Sequence, residues 1–164
     1  MFKIKLLILL LNSFFLLSCI KNNNHPSDIK YSVSYIAGEY DGLLLKNLMT
    51  SYLKSFGKYD RNSNLEIQSN ISHSSDLFIT NIDNTSDREK ITTNLSIVVL
   101  DKNSNCTIYN NDFSISQFYI FATGDKFLSN QNAFKKIKKD NTEYLVKQLI
   151  NKLFEIGKTC RKND

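Results

Sequence analysis

"EKITTNLSIVVLDKNSNCTIYNNDFSISQFYIFA", Glu89 to Ala122, is the stretch that decides the fold. Ile91, Thr93, Leu95, Ile97 and Val99 occupy every second position, with Thr92, Asn94 and Ser96 between them. Successive side chains of a strand point to opposite faces of its sheet, so this alternation describes a half-buried strand. Asp101 to Asn105, "DKNSN", is a turn-rich tip, because Asp, Asn and Ser bond their own backbone in tight turns. The chain then returns with Tyr109, Phe113 and Ile115 on one face, which makes an antiparallel hairpin. The alternation blurs from Ser116 to Tyr119, where we expect a bulge.

Upstream of the hairpin, "NLEIQSNIS" gives a strand through Leu65, Ile67 and Ile71. "DLFITNID" either extends that strand past a bulge or forms a separate lip strand, and "DNTSDREK" reads as a loop or turn. Earlier still, "KYSVSYIA" alternates Tyr31, Val33 and Tyr35 with serines, as a strand does. Between these strands Leu45, Leu48, Met49, Tyr52, Leu53 and Phe56 recur at helical spacing, with Asp41 as N-cap and Gly57 just past the C-terminus. Downstream, Tyr144, Leu145, Gln148, Leu149, Lys152, Leu153 and Ile156 form a second stripe, on a helix expected from about Asn130 to Lys158. The order is β-α-β-β-β-α. A right-handed crossover joins the first two strands in parallel, and two apolar helix stripes seek one sheet face. The expected fold is therefore an α/β (α+β) two-layer sandwich, a mixed four-stranded sheet with two helices on one face.

The N-terminus is of a different kind. Lys3 and Lys5 precede an apolar run, Leu6 to Leu17, that is too short to span a bilayer and ends in "LLSC" at Cys19. Residues 1–18 read as a signal peptide, 19–30 as a lipidated Cys followed by a polar tether, and 31–164 as one domain. "LLSC" resembles the bacterial lipobox, which implies acyl and diacylglycerol groups, palmitate among them, on Cys19. Ile20, rather than an Asp, follows the Cys, which favours the outer membrane. Without residues 1–18 the chain keeps 19 basic and 16 acidic side chains, net +3, too mild a charge for a nucleic-acid binder.

Taken in order, the lipobox, the short strand-helix unit, "R-x₂-I-x₃-L-x-I-x-V-L-D" (Arg88 to Asp101), a turn, "Y-x₃-F-x-I-x₃-Y" (Tyr109 to Tyr119) and a long last helix holding "QLINKL" resemble the LptE-type lipopolysaccharide-assembly lipoproteins. The resemblance covers essentially the whole chain and is clearest from Arg88 to Leu153. It implies an outer-membrane lipoprotein on the periplasmic side that sits within an LptD-type β-barrel, helps it assemble and passes lipopolysaccharide to the outer leaflet. It also implies that basic residues near one end of the sheet touch the lipid's anionic groups.

The expected topology places the turn holding Arg88 and Lys90 and the turn holding Lys126 at one end, here the top. These three are the candidate lipopolysaccharide-binding residues, because guanidinium and ammonium groups pair well with phosphate. Cys106 and Cys160 share the bottom. In an oxidising compartment they are a candidate disulfide, with two free thiols as the alternative.

No residue is nominated for catalysis or as a metal ligand. The sequence holds no nucleophile elbow, Gly-rich phosphate loop, paired-carboxylate signature or metal-spaced His/Cys set. His73, in "SHSSD", cannot assemble a triad from its immediate neighbours. No cofactor is expected beyond the acyl groups. The competing reading is a periplasmic or surface lipoprotein that binds as a transporter auxiliary, adhesin or inhibitor.

Overall fold

The structure is a computed structural model that describes residues 29–37, 39–79, 86–120 and 127–157. The elements are β1 (Ser32–Ala37), α1 (Glu39–Ser55), β2 (Leu65–Ile79), β3 (Ser86–Asp101), β4 (Cys106–Ile120) and α2 (Phe127–Glu155). Among the described residues the sheet has four strands in the order β1-β2-β3-β4. β1 runs parallel to β2, and β2, β3 and β4 form an antiparallel meander. The sheet is therefore mixed, as the order of strands and helices predicts.

Thr93, Leu95, Ile97 and Val99 are fully buried, and their partners Ile67 and Ile71 of β2 share their face. Leu45, Met49 and Leu53 of α1 join Leu145, Val146, Leu149, Ile150 and Leu153 of α2 in the same core. α1 packs on β1 and β2, and α2 packs on β3 and β4. The other sheet face carries no helix among the described residues. There Thr92 and Ser116 hydroxyls bond each other at 2.8 Å, and the Ser114 hydroxyl donates to Asn94 Oδ1 at 2.8 Å.

The helices differ in reach. α1 has 17 residues, or about 25 Å at 1.5 Å each. α2 has 29, about 43 Å. β2 has 15, about 50 Å. The short helix cannot cover its strand. Ser75 and Leu77 continue the core-facing alternation of Ile67 and Ile71, yet both are exposed, Leu77 to 62%.

Several local expectations need correction. The bulge is not at Ser116–Tyr119, where pairing with β3 is continuous, but opposite Val99 and Leu100, near the hairpin tip. The blurred alternation above it comes from apolar residues on an uncovered face. "DLFI" simply continues β2, and Ser86 to Lys90 belong to β3 rather than to a loop. Asp41 lies inside α1, two residues past its start, so it is not the cap. Tyr144 and Phe56 leave their stripes, exposed to 47% and 53%. α2 starts three residues before Asn130. Ile29, assigned to the tether, is buried in the core.

Other expectations stand. Gly57 closes α1 with φ +67°, the left-handed conformation that Gly adopts without strain. Asn105 turns the β3–β4 tip with φ 48°. Tyr31 ties the lower end together. Its backbone bonds Lys58 and Asp60, and its buried hydroxyl donates to the Leu153 carbonyl at 2.9 Å. Burial pushes that phenol up to about 12.

Candidate functional site

The upper end of the sheet gathers the strand termini of β2 and β4 and the start of β3. Register places Phe78, Arg88 and Ile120 side by side, and Asp76, Lys90 and Phe118 side by side one step lower. All six have even numbers, the parity opposite to the buried residues of β3, so they lie on the helix-free face. The Phe78 and Phe118 rings meet edge to face at 5.5 Å between centroids. Arg88 is exposed and Lys90 half-buried. The two expected cations thus do share the top, on a strand rather than a turn, with the Asp76 carboxyl opposite Lys90 and an apolar frame around them. Lys126 lies outside the described residues.

On the opposite face, Glu89 is buried and accepts a hydrogen bond from the Tyr119 hydroxyl of β4. Burial first, and the Glu89 carboxylate second, hold that phenol far above its usual range. This pair keeps an acid inside the upper sheet and away from the Arg88 face.

A second polar constellation lies midway along the sheet, at the N-terminal end of α1. His73 of β2 bonds Thr93 Oγ1 through Nδ1 at 2.8 Å, and Asn141 Nδ2 of α2 donates to the same hydroxyl at 3.1 Å. Lys138 Nζ donates to Asp41 Oδ2 at 2.6 Å, which clasps α2 to α1. That carboxylate oxygen stands 3.7 Å from His73 Nε2, too far for a hydrogen bond. His73 Nε2 and Asn141 Oδ1 are buried without hydrogen-bond partners. The His73 side chain is only 5% exposed. Its pKa is lowered, first by burial and then by the Lys138 ammonium, against an opposing pull from Asp41. The groups His73 meets come from three other elements.

This cluster is hidden in the sequence because its members are far apart in the chain, 97 positions between Lys138 and Asp41. The legible signal is Thr93, a polar residue at a core position of β3.

At the lower end, Cys106 opens β4 and is disulfide-bonded, with Ser104 Oγ at 3.1 Å from its sulfur. The expected partner, Cys160, lies outside the described residues, as does Cys19. An apolar cleft of about 260 Å³ opens at this end, lined by Ile29, Tyr31, Phe56, Leu153, Phe154 and Ile156, with Lys58 beside them.

No family model matches the chain. No curated protein matches it either. Solved structures do share its fold. Rare lipoprotein B from Shewanella oneidensis superposes with a TM-score of 0.63 at 11% identity, over 76% of this chain and 92% of that one. A minor lipoprotein from Acinetobacter baumannii gives 0.60 at 14% identity, over 79% and 94%. Lipoprotein B from Nitrosomonas europaea gives 0.57 at 14% identity, over 74% and 80%. At such identities the likeness establishes the fold, a two-layer sandwich found in bacterial lipoproteins.

Proposed function

We propose that the chain is an outer-membrane lipoprotein, anchored through acyl groups on Cys19 and facing the periplasm. In this reading it assists the assembly of an LptD-type β-barrel and the delivery of lipopolysaccharide to the outer leaflet, and it binds rather than catalyses. The observation that carries the reading is the fold match over most of the domain to proteins named as lipoproteins, in a chain whose Cys19 closes "LLSC". Cleavage before Cys19 removes residues 1–18, and the polar residues up to Ile29 link the anchor to the domain.

Arg88 and Lys90 take the lipid's phosphates, with Lys126 as a third member. Charge-assisted bonds to phosphate are about twice as strong as neutral ones, and the apolar frame of Phe78, Phe118 and Ile120 limits competing water. The helix-free face, lined with Ser, Thr and Asn, suits the polar interior of an outer-membrane barrel. Cys106 pairs with Cys160, which ties the end of α2 to the hairpin tip. No cofactor takes part.

Extraction in mild detergent followed by affinity capture of the full chain tests the partner. A large outer-membrane barrel, identified by mass, is the expected co-purifying species, and its absence refutes the assembly role. Arg88→Glu with Lys90→Glu is expected to weaken lipopolysaccharide binding at least about tenfold without shifting the melting temperature. Unchanged binding rejects the phosphate assignment. Alkylation of unreduced protein followed by mass analysis should leave Cys106 and Cys160 unlabelled.

A further inference from the structure

Nine large apolar side chains are exposed among the described residues, and six of them crowd one end of the molecule. They are Leu77 and Phe78 at the end of β2, Phe118 and Ile120 at the end of β4, and Phe127 and Leu128 at the start of α2, exposed to between 43% and 77%. Topology brings all three element ends to the top. Contiguous apolar surface of this kind marks a protein, ligand or membrane contact.

Shape and charge choose among these. Leu77 and Phe78 are neighbours on one strand, so they point to opposite sheet faces. Phe118 and Ile120 share the face of Phe78, and Phe127 and Leu128 stand on a helix beyond the strands. No single concave site can take a set that faces in several directions, whereas small-molecule sites are concave. A crown of apolar side chains around a strand tip instead fits a medium that surrounds it. The upper half of α2, Phe127 to Lys139, adds the exposed Lys135 and Lys139, while Lys136 and Lys138 are paired with Asp140 and Asp41. Arg88 and Lys90 lie within the crown. Apolar anchors ringed by cations are the chemistry of an anionic membrane interface, where side chains sink into the headgroup region and basic residues meet lipid phosphates.

We infer that the upper end is a membrane-docking tip, which inserts Phe78, Phe118 and Ile120 into the interface of an anionic bilayer with Arg88 and Lys90 at its phosphates. This goes beyond the binding of one lipopolysaccharide molecule and does not require it. The sheet, about 50 Å long, separates the tip from the end where the tether enters. A chain anchored at Cys19 thus offers a second bilayer contact at its far end.

The chain contains no tryptophan, so Phe118→Trp in the full chain is a single reporter. The full-chain protein is reconstituted in one population of vesicles and mixed with a second, protein-free population of phosphatidylglycerol and phosphatidylcholine without lipopolysaccharide. Brominated acyl chains are placed first in one population and then in the other. The expected result is a blue shift and quenching of the introduced indole in at least one arrangement. A reporter on the same face at the lower end, Asn110→Trp, should stay unquenched by the protein-free vesicles. Vesicles of phosphatidylcholine alone should capture less protein. Arg88→Gln with Lys90→Gln should cost roughly 30-fold in capture by anionic vesicles, from about fivefold per basic residue near such a surface. Phe118→Asp with Ile120→Asp should abolish capture while leaving the melting temperature in place. An indole at position 118 that stays unquenched in both arrangements, or capture indifferent to the paired aspartates, overturns the inference. If the unaltered chain binds no lipopolysaccharide yet is captured by the vesicles, the proposed function is refuted and the tip stands.

Discussion

Below His73, the odd-numbered residues of β2 and β3 face two helices. Above it they face one. Ile67 and Ile71 are covered by α1, and Leu95, Ile97 and Val99 are buried completely. Past Asp41, α1 has already begun and cannot follow β2 upward. On β3 the burial continues through Ile91 and Glu89, whereas on β2 Ser75 and Leu77 are open to solvent. The same alternation thus supports the fold in one half and supplies exposed apolar surface in the other. What separates the halves is the Lys138–Asp41 clasp with His73, Thr93 and Asn141 beneath it. Strand pattern tells which face a residue occupies, and only helix length tells whether that face is covered.

The sharpest way to break this contrast is a pair of truncations. Leu95→Ala should cost about 2–5 kcal/mol, because it removes a fully buried side chain and leaves a cavity. Ile120→Ala should change stability by no more than about 0.5 kcal/mol, as surface substitutions do. Urea unfolding of both variants checks the difference, and a large loss at Ile120 would mean the crown is packed.

Gly42→Ala comes next. A Cβ at Gly42 would lie 2.8 Å from the Ala37 carbonyl oxygen, so α1 would have to move away from the end of β1. Overpacking of this kind costs about 1–3 kcal/mol. The lower half should register it in thermal melts, while the exposure of the upper half stays the same.

At the boundary, Lys138→Met should destabilise by about 1 kcal/mol, since the pair is only partly exposed and its charge-assisted bond is short. It should also raise the His73 pKa, by removing a nearby ammonium. NMR titration of His73 reads the second effect apart from the first.

The smallest effect is with pH. His73 has a lower pKa folded than unfolded, so the unfolded chain binds more protons over the interval between the two. The stability this provides is complete above the unfolded value of about 6.5 and declines as pH falls toward the folded one. Melting temperature should drop as pH is lowered from about 7.5 to about 5.5, and His73→Gln should flatten that slope.

Much of the architecture is legible because β3 spells its own burial. Five alternating positions from Ile91 to Val99 name the core face, and the order of the remaining patterns implies the sheet. The upper end is less legible for a physical reason. "DREK" looks like a loop because its charges are unsuited to a core, but an uncovered face leaves Arg88 and Lys90 at the solvent side of a regular strand. Topology alone brings both cations to one end of the sheet. It does not disclose the apolar frame around them, since the strand pattern at Phe78, Phe118 and Ile120 does not say whether a helix covers their face. The His73 cluster depends on side chains that converge only after both helices have docked.

Strand order in this sheet follows chain order, β1-β2-β3-β4. Pairing β3 with β4 closes only the turn from Lys102 to Asn105, and only residues 80–85 separate β2 from β3 in the chain. Short closures are fast, with hairpins forming in about 1–10 μs, and local pairing lowers contact order. The meander is thus the natural nucleus. The slower steps are the return of β1 to the far edge of β2 and the docking of a helix that ends beside Tyr31, 122 residues from its hydrogen-bonding partner Leu153. The chain can therefore assemble its sheet before its two ends meet, with the Tyr31–Leu153 bond among the last contacts to form.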